Sequence, residues 1–109
     1  MPWLDYLAWF FGGAFLANTI PHFVAGVQGR PFQSPFAKPR GVGLSSSRLN
    51  VIWGFINLVI AYLLICRVGL FDLRDTIHVI VLGAGFGLVA FFLASRFGRY
   101  HGGNNPPRD

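Results

Sequence analysis

Asn18 and His22 interrupt one strongly apolar run, and Asn50 and Asn57 interrupt another. An imidazole can move protons, ligate a metal or hydrogen-bond, and side-chain amides in an apolar setting need partners. Residues four apart share one helix face, so Asn18 and His22 point the same way. Asn50, Gly54, Asn57 and Ala61, at i, i+4, i+7 and i+11, form one small and polar face of a second helix. Catalysis by His22 would need a nucleophile or carboxylate partner, and no Ser, Asp or Cys is placed as one. The chain has no Glu, and its four Asp stand near the ends of apolar runs, in a loop or at the C-terminal end. An intramembrane carboxylate of the kind that marks proton and cation pathways is therefore missing. His22, His78 and His101 are not spaced as metal ligands. The expectation is no metal, no cofactor and no enzyme.

These residues must be positioned by membrane helices. Only 12% of the 109 residues are charged, against about a quarter in a soluble domain. Tyr6–Val27, Leu49–Cys66 and Thr76–Ser95 are uncharged runs, and a helix of about 20 apolar residues crosses a bilayer. The reading is an all-α integral membrane domain over residues 1–100, with three transmembrane helices at about 3–27, 49–70 and 76–97. Residues 101–109, rich in Gly, Asn and Pro, read as a disordered tail. No Lys or Arg precedes the first run, so it is expected to be retained and not cleaved as a signal peptide.

Charge orients the spans. Arg30, Lys38, Arg40 and Arg48 lie between the first two spans, and Arg96, Arg99 and Arg108 follow the third. Arg67 and Arg74, between spans two and three, are offset by Asp72 and Asp75. Basic loops face the cytoplasm, and an odd number of spans puts both basic segments on one side. The topology is thus N-terminus out and C-terminus in. The +5 net charge then meets anionic lipid headgroups, not nucleic acid.

Trp3, Tyr6 and Trp9 suit an interfacial aromatic belt at the outer end. Pro21 cannot donate to the Ala17 carbonyl, so the first helix kinks or ends there; a kink is the favoured reading. The loop that follows carries Pro31, Phe32, Pro35, Phe36 and Pro39, too much proline for a helix. Its rings and cations suit a structured interfacial loop, with a Pro-rich partner ligand as the alternative. A serine of Ser45–Ser47 caps the second helix, and Asp75–Thr76 read as the cap of the third, with His78 partly wet at its outer end. At 1.5 Å per residue, Asn18 lies roughly 4.5 Å and Asn57 about 4 Å inward of the mid-plane. His22 at roughly 10.5 Å falls between Asn57 and Asn50 at about 14 Å. Antiparallel neighbours would so form a hydrogen-bonded ladder. It acts either as glue or as the lining of a polar cavity for a headgroup, quinone or ion, with Arg30 and Arg48 flanking it.

Gly83, Gly87, Ala90 and Ala94 make a small-residue packing face on the third span, Gly83 and Gly87 forming G-x-x-x-G. The surrounding VIVLGAGFGLVA mimics a dinucleotide fingerprint, but Leu88 replaces its third glycine and no acidic residue follows at the required distance. No nucleotide site is expected. Cys66, alone, reads as a small apolar packing residue, with a redox or dimer-linking role as the alternative.

The run ANTIPHFVAGVQGRPFQSPFAKPRGVGLSSSRLNVIWG resembles the signature region of a family of small bacterial inner-membrane proteins of no assigned activity. PHF and GRPFQSPF are its most specific portions, and the resemblance covers the whole length. It implies a multi-pass protein of a bacterial inner membrane and carries no catalytic residue. The three-span plan is also similar in outline to some phage holins. The expected role is an accessory or scaffold subunit or a lipid-associated protein, with a homo-oligomer or a larger membrane protein as partner. The alternative is a homo-oligomeric pore or small-solute transporter.

Overall fold

The computed structural model describes residues 2–107. Its elements are α1 (Pro2–Val27), β1 (Phe32–Gln33), β2 (Leu44–Ser45), α2 (Ser47–Cys66) and α3 (Thr76–His101). Each of the three helices is long and apolar enough to cross a membrane. The strands pair antiparallel, Phe32 opposite Ser45 and Gln33 opposite Leu44. The expected Pro/Phe loop is thus a hairpin, its tip held by Ser34 O, which accepts from Gly41 N at 2.8 Å.

The ends of α2 and α3 depart from the sequence expectation for local reasons. α1 continues through Pro21 to Val27. α2 begins after Ser46, whose Oγ accepts from Leu49 N at 3.2 Å. It stops at Cys66 instead of running to residue 70, because Arg67 closes on Leu63 O and Gly69 takes φ 62°. The Val68 carbonyl, released from the helix, accepts the Trp9 indole N–H at 2.9 Å. Trp9 is therefore a core residue, 2% exposed, while Trp3 and Tyr6 stay outside. Cys66 is exposed.

α3 starts at the Asp75 cap, which accepts from Ile77 N at 3.0 Å. It runs to His101, four residues beyond the expected end, and closes on left-handed Gly102. The segment read as a disordered tail from residue 101 instead folds back, with Asn104 Nδ2 donating to Ser95 O at 2.8 Å. Arg108 and Asp109 lie outside the described residues.

α1 is the central helix. It packs along both α2 and α3, which scarcely touch each other. Glycines make both contacts close, as in helix pairs within membranes. Towards α2, a Cβ on Gly26 would sit 2.5 Å from the Val51 side chain, and one on Gly54 2.8 Å from Phe23 N. Towards α3, Gly13 faces the Leu82 and Phe86 backbone, and Gly85 faces the Phe10 backbone. The α3 packing residue inside the chain is therefore Gly85. Gly83 and Gly87 have nothing within 4 Å of an added Cβ, and Gly83, Gly87 and Ala94 are exposed. Ala90, half-buried, and Ala94 line an apolar groove against Ala17, Ile20 and Pro21.

Candidate functional site

Four polar side chains meet where α1 crosses α2. Asn18 Nδ2 donates to Asn57 Oδ1 at 3.0 Å, and Asn57 Nδ2 donates to Trp53 O at 2.7 Å. One turn further along α1, the His22 ring meets Asn50 Oδ1 at 2.9 Å. An amide oxygen only accepts, so His22 Nδ1 carries the hydrogen and Nε2 of the neutral ring is left as an acceptor. Asn50 and Asn57 are 0% exposed.

Asn50 also organises the hairpin. Its Nδ2 reaches Phe32 O, Ser45 O and Ser46 O at 3.3, 3.2 and 3.0 Å. These carbonyls sit on both strands and at the α2 cap, so one amide ties the hairpin to the helix and, through His22, to α1. Ser34 Oγ bonds Ser45 Oγ across the strands and accepts from Phe36 N at 3.1 Å.

α3 holds the same hairpin from the other side. Arg96 Nη2 donates to Gly41 O at 3.0 Å, and His101 Nε2 donates to Gln33 Oε1 at 2.8 Å. The Phe32 ring stacks on His101 at 5.1 Å and 8°, and lies 4.6 Å from the Phe97 ring. The hairpin thus bridges α2 and α3 where the helices themselves barely meet.

Between these parts lies a cavity of about 210 Å³ lined by Asn18, His22, Ser34, Trp53, Arg96 and Phe97, among others. A second groove of about 250 Å³, floored by Phe11, Ala14 and Phe15 of α1, shares Asn18 with it. The cleft runs along the α1 face left open between α2 and α3. Its lining includes an imidazole, an indole and a guanidinium and, among the described residues, neither a carboxylate nor a thiol.

The sequence-derived cluster divides in two. Asn18, His22, Asn50 and Asn57 come together, while Arg30 and Arg48 are exposed, their side chains make no hydrogen bond or ion pair among the described residues, and they do not line the cavity. The cation at the cavity is Arg96, which sequence reading placed in a basic tail. Gln33, Ser34, Ser45, Trp53 and His101 were also missed; PFQS, read as loop, was the one signal for the first two.

Among the described residues no group of three His, Cys, Asp or Glu comes together. His78 lies at the far end of the molecule, half-buried, its ring 4.3 Å from that of Trp9. Its Nδ1 accepts from Asp72 N at 3.1 Å, which leaves Nε2 to face Asp75 Oδ2 at 3.3 Å. Comparison with protein-family models, curated proteins and solved structures finds no match.

Proposed function

We propose that this chain is a non-enzymatic, multi-pass protein of a bacterial inner membrane, serving as an accessory or scaffold subunit that presents α3 to a larger membrane protein. The observation that carries this reading is how little of α3 the chain itself covers. α3 is the most apolar of the three helices, yet only 6% of its apolar window is buried, against 39% for α1. Its Gly83 and Gly87 leave open space beyond the backbone, the feature that lets a second transmembrane helix approach closely.

The N-out, C-in orientation draws support from where the charges gather. Arg96 and His101 of α3 bond the hairpin, so the basic hairpin segment and the basic end of α3 share one end of the molecule. Asp72 and Asp75 belong to the opposite end, beside His78. Basic segments on short loops favour the cytoplasmic side. The bacterial inner membrane rests on the resemblance of PHF and GRPFQSPF to that family.

In a homo-oligomeric pore or transporter, polar side chains would line a shared axis. The buried His22, Asn50 and Asn57 bond within this chain instead, which favours the accessory reading. A photo-crosslinking residue at Leu88, 64% exposed on α3, tests it in cells. The expected product is a discrete adduct larger than a dimer of this chain. Self-adducts alone would hand the case to the homo-oligomer, and no protein adduct would remove the docking role.

A further inference from the structure

Arg96 brings a positive charge to the lining of the cavity. Among the described residues it makes no ion pair, and the three described Asp lie near the other end of the fold: Asp5 beside Gly69, and Asp72 and Asp75 beside His78. A guanidinium has five N–H donors, and the Gly41 carbonyl is the one hydrogen-bond acceptor it has here.

Trp53 lines the same cavity from α2. Its Nε1 is the single buried side-chain nitrogen or oxygen among the described residues without a hydrogen-bond partner. Buried donors are nearly always satisfied, and no acceptor among the described residues meets this one. An indole N–H and a guanidinium around one space ask for an anionic, oxygen-rich group. Beyond Asn18, which lines both, lies the apolar groove over Phe11, Ala14 and Phe15. A polar head leading into an apolar channel parallel to a membrane helix has the shape of a lipid with one chain laid along α1.

We infer that the cleft between α2 and α3 holds one anionic glycerophospholipid, its phosphate received by Arg96 and Trp53 and one acyl chain lying over Phe11, Ala14 and Phe15. This rests on the membrane placement proposed above but not on docking through α3. The lipid fills the space that α2 and α3 leave between them. Arg30 and Arg48, exposed and away from the cavity, contribute to general attraction at the surface and not to this site.

The test is native mass spectrometry of the full chain in mild detergent with equimolar dioleoylphosphatidylglycerol and dioleoylphosphatidylcholine. The expected result is one phosphatidylglycerol retained per chain under activation that strips phosphatidylcholine. Arg96→Gln and Trp53→Phe should each reduce that retention by about tenfold, the loss of one charge-assisted or buried hydrogen bond. Arg67→Gln, at the opposite end, should leave it unchanged. Equal retention of the two lipids, or full retention in both site variants, overturns the inference. Displacement of the lipid by millimolar inorganic phosphate also overturns it, assigning the cavity to a soluble anion. If Arg96→Gln fails to fold, Trp53→Phe, which keeps an aromatic ring without the N–H, decides alone. The Leu88 crosslink does not enter this readout, so the lipid site and the docking role fail separately.

Discussion

Replacing Asn50 with Leu keeps the size of the side chain and removes every polar contact it makes. Two amide hydrogens spread over three carbonyls at 3.0–3.3 Å, and one oxygen receives the His22 N–H at 2.9 Å. Three hydrogens' worth of bonding is lost, and the His22 donor stays buried without a partner. At about 0.6 kcal/mol per bond, the average between membrane helices, the loss is about 2 kcal/mol. At about 1 kcal/mol per bond, with a further 1–3 kcal/mol for the stranded donor, it reaches about 5 kcal/mol.

Asn57→Leu removes a single bond between helices, from Asn18; the other goes to Trp53 O in its own helix, four residues back. That loss is worth about 0.6–1.7 kcal/mol. Asn104→Leu removes one exposed bond, to Ser95 O, and should cost about 0.5 kcal/mol. Reversible unfolding of the detergent-solubilised protein in increasing sodium dodecyl sulfate measures all three. Protease cleavage near Val42 should rise in Asn50→Leu alone, because only that variant frees the hairpin. If Asn50→Leu is no less stable than Asn57→Leu, Asn50 does not hold the hairpin and the reasoning fails.

Gly13→Ala and Gly85→Ala each push a methyl into the backbone of a neighbouring helix and should cost about 1–3 kcal/mol in the same assay. Gly83→Ala and Gly87→Ala should leave the isolated chain unchanged while weakening any Leu88 adduct; equal destabilisation by all four would contradict the assignment of the inner face. In a Cys66→Ala background, Val42→Cys and Leu70→Cys, 40% and 89% exposed, should label from opposite sides of intact cells. Labelling of both from one side would overturn the topology; Gly41 is avoided because its φ of 71° and its contact with Arg96 disfavour a side chain. His101→Ala removes the bond to Gln33 and the stack on Phe32. It should cost about 1–2 kcal/mol, whereas a tail without structure from residue 101 predicts no change.

The three helices are legible in the sequence because each is an uncharged run near the length a bilayer requires, a signal that depends on no tertiary contact. The match of Asn18 with Asn57 is legible too, since helical spacing fixes the faces and rise per residue fixes the depths; the same arithmetic places His22 only between Asn57 and Asn50, and the structure pairs it with Asn50. Helix ends are less so. α2 stops at Cys66 for the sake of Arg67 and Gly69, while α3 continues past its apolar stretch because Arg96, Arg99 and His101 are as helical as what precedes them.

The hairpin left no periodic trace, as its strands are two residues each and alternation needs four or more to register. G-x-x-x-G spacing finds a face on which glycines recur but not which neighbour that face meets. Gly85, two positions from either glycine of that pair, was the residue that α1 required. Arg96 was invisible as a site residue for a related reason. It enters the cavity only because the hairpin folds up to meet α3, which sequence distance from Gly41 conceals.

The hairpin also sets the mechanics of the molecule. α2 and α3 each rest on α1 and hardly on each other, so α1 is a spine with two leaves, and the hairpin is the latch between them. Asn50 fastens it to one leaf, Arg96 and His101 to the other. Replacing residues 32–45 by a flexible linker would leave both helix interfaces whole, yet free the leaves to swing about the spine and open the cleft they enclose.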